Sequence, residues 1–154
     1  MFRRKKKDPN INAFIKGTLV ALENVSDPVF AQKMMGDGFA IEPTDNTVYA
    51  PVDGEITVVF PTYHAYGITT KSGVEVLIHL GIDTVELDGE GFTTEVSVGD
   101  KVKTGDVLGT MDVEKIKSLK KPVTSMLILT SGETINLVKD TDETVVETDL
   151  ICTY

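Results

Sequence analysis

Short β-rich runs separated by glycine, proline and acidic turn residues recur along this 154-residue chain, and they constrain its fold more than any other feature. Many short strands at such spacing are typical of a sandwich or barrel, and not of alternating β and α units. We therefore predict an all-β, antiparallel sandwich or barrel-like domain with one or two short helical turns. The predicted strands are residues 18–22, 47–50, 55–60, 67–70, 74–80, 107–111, 123–129 and 144–147.

Helical signal is confined to two segments. Residues 26–28 (SDP) can begin a single turn, because proline is favoured at the first position of a helix. Residues 112–120 have three apolar side chains at helical spacing, which predicts a short surface helix. The segment 36–38 (GDG) is interpreted as a turn and not as a phosphate-binding loop, since the Lys-Ser/Thr end of such a loop is missing.

Net charge separates an N-terminal tail from the rest of the chain. Positions 3–7 are consecutive basic residues; they contribute +5 to a net charge of −9 and leave −14 on the remainder. A body this acidic repels nucleic acid, which excludes a nucleic-acid-binding domain. We predict a flexible basic tail over residues 1–10 and one domain over residues 11–154. The tail is either solvated or in weak contact with an anionic membrane surface.

Cysteine usage and hydropathy indicate the compartment. Cys152 is the single cysteine, so an internal disulfide is excluded and a reducing compartment fits. The chain has no apolar run near the ~18 residues that a membrane-spanning helix requires. The basic start is not followed by the apolar segment of a signal peptide. We expect a cytoplasmic protein that is at most peripheral to the membrane.

Two histidines, His64 and His79, are the candidate catalytic residues. Both fall in strand-like segments, and a turn near residues 71–73 would place them side by side. Side-chain alternation predicts that His79 faces away from the core, and that Thr62, His64 and Tyr66 share one face.

A pair of imidazoles suits three roles, and the pair alone leaves all three open. One imidazole can attack a phosphoryl group while the other donates a hydrogen bond to it. Both can ligate zinc, although a structural site needs two further ligands. They can also be unrelated surface histidines.

Glycine-aspartate turns offer a different reading of the chain. Residues 98–108 repeat such a turn, as biotinyl and lipoyl carrier domains do, and Lys115 follows at a position that suits the modified lysine of such a domain. Gly-Asp is also simply a good hairpin turn. Because Lys115 lies in a helical pattern, the carrier domain is the weaker hypothesis.

The sequence around His79 resembles a known family. Residues 77–92 (LIHLGIDTVELDGEGF) are similar to the phosphorylation-site segment of glucose-family enzyme IIA of the bacterial sugar phosphotransferase system. The resemblance covers roughly residues 16–138. It includes the 15-residue histidine spacing and the segments 27–30 (DPVF), 35–41 (MGDGFAI), 50–54 (APVDG) and 62–65 (TYHA).

The resemblance implies a phosphocarrier that takes a phosphoryl group from HPr and passes it to an enzyme IIB domain, usually onto cysteine. It implies that His79 is phosphorylated, that His64 stabilises the phosphoryl group and that Thr62 orders His64. It implies no metal requirement, because the phosphoryl group comes from another protein. It also implies six partner-binding residues: the acids Asp27 and Asp83 and the apolar rim residues Phe30, Met35, Phe60 and Leu77.

Some features depart from the family pattern. Aromatic residues are common near the phosphorylated histidine, whereas Leu77 and Leu80 flank it here. The chain contains neither a membrane-channel nor a IIB segment, so we expect a free-standing IIA protein whose sugar cannot be inferred. A regulatory protein whose binding partner is switched by phosphorylation is the main alternative, and a zinc ion at the histidine pair, completed by a partner or lattice ligand, is a further one.

Overall fold

A computed structural model describes residues 8–154, and this part of the chain is mostly β-structure. Its strands are β1 (Asn10–Asn12), β2 (Gly17–Ala21), β3 (Asp37–Pro43), β4 (Thr47–Tyr49), β5 (Gly54–Val59), β6 (Ala65–Thr69), β7 (Glu75–His79), β8 (Phe92–Thr94), β9 (Lys101–Val102), β10 (Val107–Met111), β11 (Ser125–Leu129), β12 (Asn136–Leu137), β13 (Thr144–Val145) and β14 (Leu150–Thr153). The helices are α1 (Pro28–Ala31) and α2 (Val113–Ser118), with 3₁₀ turns at Leu22–Asn24 and Thr84–Leu87.

All strand pairs in the described residues are antiparallel. Eight strands form the main sheet in the order β13-β2-β3-β11-β7-β6-β5-β9, and two smaller sheets have the orders β1-β14-β12 and β4-β10-β8. The predicted all-β, antiparallel fold is confirmed.

The main sheet has apolar side chains on both faces, because its central strands alternate between two clusters. One face contributes to the larger core, which includes Phe14, Phe39, Ile56, Ile78 and Leu127. The other face carries a smaller apolar cluster, formed by Leu22, Val25, Phe30, Ala40, Ile82, Met126 and Ile128, with Val20 and Leu77 packed against it. Strand β11 is buried along its whole length, since its residues alternate between the two clusters.

Both predicted helices are present and both are capped by aspartate. The Asp27 carboxylate accepts a hydrogen bond from the Val29 amide at 2.9 Å, with Pro28 at the first helical position. The Asp112 carboxylate accepts from the Lys115 amide at 3.2 Å at the start of α2. Each cap satisfies an amide that the helix itself cannot bond.

The interpretation of residues 36–38 as a turn is wrong, because β3 begins at Asp37. Gly38 lies within this strand opposite Ile128, where a Cβ atom would overlap the Leu127 carbonyl. Glycine is therefore needed at position 38 for the close approach of β3 and β11. Of the two glycines in residues 36–38, only Gly36, with a φ of 140°, has the backbone conformation of a turn glycine.

The two ends of the described part of the chain, near residues 8–12 and 150–154, pack together. Strand β1 pairs with β14, and the Tyr154 hydroxyl donates to the Asp8 carbonyl at 3.0 Å. The predicted tail covered residues 1–10; residues 1–7 lie outside the described part, and β1 already begins at Asn10. In residues 8–154, no helix has both the length and the apolar character needed to cross a membrane.

Candidate active site

The β6–β7 hairpin brings the two histidines together, as predicted from their spacing. Residues 70–73 form its turn, and strand register pairs Ala65 with His79. The imidazole centroids of His64 and His79 lie 5.1 Å apart, with their planes at 78°. The main chain adds a further link, since the Leu80 amide donates to the His64 carbonyl at 2.7 Å.

His79 ends β7 on the face predicted for it. Its neighbours Val76 and Ile78 are buried in the larger core, whereas His79 is half-buried on the opposite face of the sheet. Strand β11 lies alongside and places Met126 in register with His79. The periodicity of residues 74–80 was therefore sufficient to predict which way this histidine points.

His64 does not lie in a strand, and the prediction that it shares a face with Tyr66 is wrong. Tyr63 has a φ of 56°, and this left-handed residue interrupts the alternation just before β6 begins at Ala65. Tyr66 consequently turns into the larger core, where its hydroxyl donates to the carbonyls of Thr93 and Leu108 at 3.3 and 3.4 Å. The bend leaves His64 next to His79.

A carbonyl oxygen determines the tautomer of His79. Its Nδ1 atom lies 2.8 Å from the Gly81 carbonyl oxygen, which can only accept a hydrogen bond. Nδ1 must therefore carry the proton, so that in the neutral imidazole Nε2 holds the lone pair. A nucleophile at this residue would consequently be Nε2.

His64 is held by a hydroxyl in place of a carbonyl. Thr62 Oγ1 lies 2.5 Å from His64 Nδ1, and the threonine hydroxyl can either donate to this nitrogen or accept from it. When Thr62 donates, the proton of neutral His64 lies on Nε2. The pair then presents one lone pair and one N–H group, which is the complement needed to bond and stabilise a phosphoryl group.

Both imidazoles are biased toward the neutral form. Burial lowers the pKa of His64 to about 4, with a further contribution from neighbouring His79; the side chain is only 3% exposed. Burial also lowers the pKa of His79, but its hydrogen bond to Gly81 and the charges of Asp27 and Asp83 act in the opposite direction. At neutral pH both imidazoles are therefore neutral, and each has one nitrogen with a free lone pair.

Aromatic rings cover both histidines. The Phe30 centroid lies 5.1 Å from that of His79, and the Phe60 centroid lies 5.2 Å from that of His64. Phe30 was expected in the apolar rim that docks partner proteins; it is only 6% exposed and belongs to the smaller cluster. Leu77 is likewise partly buried against that cluster, so both residues pack beneath the surface that carries the two histidines.

The remaining expected rim residues are accessible. Met35 follows α1 and is 39% exposed, and Phe60 is 37% exposed. The segments that carry the site also expose large apolar residues that were not predicted: Val29, Met34, Val58, Tyr63 and Val85. In the sequence these residues are visible only as apolar residues that do not fit the alternating pattern of a buried strand face. The tertiary structure is needed to show that they are exposed.

The two predicted acidic residues differ in their local structure. Asp27 is partly buried and caps α1, so it has a structural function besides its charge. Asp83 is exposed, has a φ of 58° and makes no capping hydrogen bond in the 3₁₀ turn that follows it. Both act on the pKa of His79, which locates their charges near the imidazole.

The other candidate residues from the sequence, Lys115 and Cys152, are not part of the histidine site. Lys115 lies in α2 and pairs with Glu90 at 3.4 Å, away from any hairpin tip. Cys152 is buried in β14, and burial raises the pKa of its thiol to about 12. Within residues 8–154, no group of three or more His, Cys, Asp or Glu side chains is arranged to hold a metal ion.

Known proteins that are similar in sequence to this chain belong to one transport system. Residues 9–135 match the family model of the phosphoenolpyruvate-dependent sugar phosphotransferase system, EIIA 1. A "PTS system glucose-specific EIIA component" from Halalkalibacterium halodurans is 54% identical over 121 residues, which are 79% of this chain and 70% of the relative. A "PTS system glucose-specific EIICBA component" from Streptococcus pneumoniae is 50% identical over 123 residues, but the match spans 80% of this chain and only 17% of that longer protein.

A solved structure extends the likeness to the whole fold. The glucose permease IIA from Mycoplasma capricolum superposes with a TM-score of 0.85 at 41% identity, covering 96% of each chain. The sequence match, the shared β-fold and the paired neutral histidines lead to one conclusion. The chain belongs to the EIIA family of the phosphoenolpyruvate-dependent sugar phosphotransferase system and is a phosphocarrier that transfers phosphoryl groups through a histidine during sugar uptake.

Proposed function

We propose that His79 is the histidine that accepts the phosphoryl group, that HPr is its donor and that an enzyme IIB domain is its acceptor. The observation that carries this proposal is the hydrogen bond from His79 Nδ1 to the Gly81 carbonyl at 2.8 Å, because it leaves the Nε2 lone pair for attack. His64 has no equivalent constraint, since its Nδ1 partner is a hydroxyl.

In the first step, His79 Nε2 attacks the phosphorus of phosphohistidine in HPr. The new N–P bond forms as the donor N–P bond breaks, and its electron pair returns to the HPr imidazole. In the second step, a nucleophile of the IIB domain, usually a cysteine thiolate, attacks phosphorus and His79 leaves with its Nε2 lone pair restored. Such transfers depend mainly on positioning and charge stabilisation.

His64 and Thr62 are assigned to charge stabilisation. Thr62 donates to His64 Nδ1, so that His64 Nε2–H can donate to a phosphoryl oxygen while the group moves between nitrogen and its acceptor. The low pKa of His64, about 4, supports this assignment, because a neutral imidazole with a defined tautomer acts as a directional donor. The surrounding aromatic rings limit access of water to the labile N–P bond.

Docking is assigned to the exposed part of the predicted rim and to two exposed residues beside it. Met35, Phe60 and the exposed residues Val58 and Val85 offer apolar contact area, whereas Phe30 and Leu77 hold the surface in shape. Asp83 is an exposed negative charge near His79 and is suited to steer a basic partner toward the site.

We further propose that transfer proceeds without a resident metal, since the donor is a phosphoprotein and not a magnesium nucleotide. The alternative occupant of the pair, a zinc ion, would have to recruit ligands from a partner protein in addition to His64 and His79. Phosphoryl uptake that is unchanged after chelation of divalent ions supports the metal-free route. Uptake that disappears on chelation and returns with zinc would overturn it.

The proposed partners are cytoplasmic, and we place this chain in the same compartment. Contact of the basic residues 3–7 with an anionic membrane surface would add about 1 kcal/mol per basic residue. Cosedimentation with anionic vesicles, compared with neutral vesicles, tests this contact.

Intact mass after incubation with phosphoenolpyruvate, enzyme I and HPr tests the proposal. We expect a gain of roughly 80 Da that is lost in acid, and we expect His79→Gln to gain nothing. Lys115→Arg is the matched control for the carrier-domain alternative and should still gain the mass. Full phosphorylation of His79→Gln would refute the assignment, and phosphorylation without onward transfer to any IIB domain would favour a purely regulatory protein.

A further inference from the structure

The loop that follows His79 is held by two buried hydroxyl side chains that the proposed chemistry does not use. Ser125 and Thr84 are both 0% exposed, and both make hydrogen bonds to the main chain of residues 80–81. Buried polar side chains are costly unless they are bonded, so their presence beside a catalytic loop requires an explanation.

The first peptide of this loop, between Leu80 and Gly81, is bonded at both ends. Its carbonyl accepts from Thr84 Oγ1 at 2.6 Å, and its N–H group donates to Ser125 Oγ at 3.1 Å. The Ser125 hydroxyl in turn donates to the Val123 carbonyl at 2.9 Å. Because that carbonyl can only accept, the serine proton points to Val123 and a serine lone pair is available to Gly81.

The second peptide, between Gly81 and Ile82, carries the contact to the histidine. Its carbonyl accepts from His79 Nδ1 at 2.8 Å, and its N–H group donates to the Pro122 carbonyl at 3.1 Å. The two peptide planes share the Gly81 Cα atom, where φ is 76° and an added Cβ would overlap Thr84. A rotation of the first plane therefore moves the carbonyl that holds His79.

We infer that Ser125 is a positioning residue for His79: through the Gly81 amide it holds the Gly81 carbonyl against Nδ1 and so keeps the attacking lone pair on Nε2. This role rests on the proposed function of His79. Ser125 touches neither the imidazole nor a phosphoryl group, and it is 44 residues from Gly81 in the chain. It acts only because β11 lies beside β7.

Ser125→Ala removes the acceptor of the Gly81 amide. The readout is the pair of imidazole ¹⁵N shifts of His79 in the unphosphorylated protein, which distinguish a protonated from an unprotonated nitrogen. In the wild type we expect the proton on Nδ1. In Ser125→Ala we expect both shifts to move toward a mixture of tautomers, and phosphoryl uptake from HPr to slow about fivefold, as the loss of one ordinary hydrogen bond predicts.

Tyr66→Phe is the matched control. It also deletes a fully buried hydroxyl that bonds to main-chain carbonyls, but those carbonyls belong to Thr93 and Leu108 in the larger core. We expect it to leave the His79 shifts and the uptake rate unchanged. If Ser125→Ala does not fold, Thr84→Val tests the same peptide from its carbonyl end and should cause the same shift changes.

The outcomes separate this inference from the proposed function. Unaltered His79 shifts and uptake in folded Ser125→Ala, with normal phosphorylation of wild-type His79, would overturn the inference alone. Wild-type protein that takes phosphate at another residue would overturn the proposed function, while the tautomer measurement would still decide what Ser125 does.

Discussion

Replacing Phe30 by alanine is expected to destabilise the fold. Phe30 is 6% exposed, packs in the smaller apolar cluster and lies with its ring 5.1 Å from His79. Truncation of a buried phenylalanine costs 3–5 kcal/mol of unfolding free energy. Because α1 has four residues and lies at the surface, it can relax into the vacated space, so we expect the lower end of this range, about 3 kcal/mol.

The same substitution should raise the pKa of His79. Burial is the largest cause that lowers this pKa, and the Phe30 ring supplies part of the cover. Once the ring is removed, the pKa moves up toward its ordinary value of 6.5, and Asp27 and Asp83 continue to raise it. The neutral, nucleophilic fraction of His79 at pH 6 therefore falls, and phosphoryl uptake becomes more dependent on pH between 6 and 7.

Urea unfolding measures the first effect, and an NMR titration of His79 measures the second. Val29→Ala is the matched control, because Val29 lies on the same helix but is 41% exposed, and its truncation should change stability by less than about 0.5 kcal/mol. The reasoning is refuted if Phe30→Ala is no less stable than Val29→Ala, or if its His79 pKa stays equal to or below that of the wild type.

Three further predictions concern the histidine pair and its charges. His64→Gln should still accept phosphate at His79 but pass it to IIB about 10²–10³-fold more slowly, as for loss of one charge-stabilising donor; normal onward transfer in a rapid-quench assay would make His64 a bystander. Asp83→Asn should slow phosphoryl uptake from HPr chiefly below about 0.1 M ionic strength. Asp27→Asn keeps the helix cap and should have the same effect. Equal slowing at high and low salt would contradict a role of these charges in steering HPr to the site. The free energy of unfolding should fall by at most about 3 kcal/mol as the pH drops from 6.5 to about 4, because His64 binds a proton at higher pH in the unfolded chain than in the folded one. Urea unfolding at both ends of this range should show a smaller fall in His64→Gln.

Strand β7 shows how much of the structure can be predicted from the local sequence pattern. The alternation in residues 74–80 predicted its buried face, and the hairpin turn with the histidine spacing predicted that His64 and His79 would meet. The helix at Pro28 and its aspartate cap were also predictable. These features depend on side-chain period and turn chemistry within a few residues, which a sequence displays directly.

Other features escaped such reasoning, either because a partner is distant in the chain or because a single residue adopts a positive φ. Residues 36–38 were interpreted as a turn from their glycines, although β3 begins at Asp37 and Gly38 is required by the approach of β11. The left-handed Tyr63 reversed the expected facing of Tyr66, and alternation cannot anticipate a single residue of positive φ.

The sequence by itself determined the all-β class and the hairpin that brings the two histidines together, since each follows from local period and spacing. Only the tertiary structure decided that Phe30 covers His79 from a buried position, and that Ser125 bonds the loop which orients it. The physical reason is strand order: β11 lies between β3 and β7, and this non-local pairing brings Ser125 to the loop and places Met126 and Ile128 in the smaller cluster that buries Phe30.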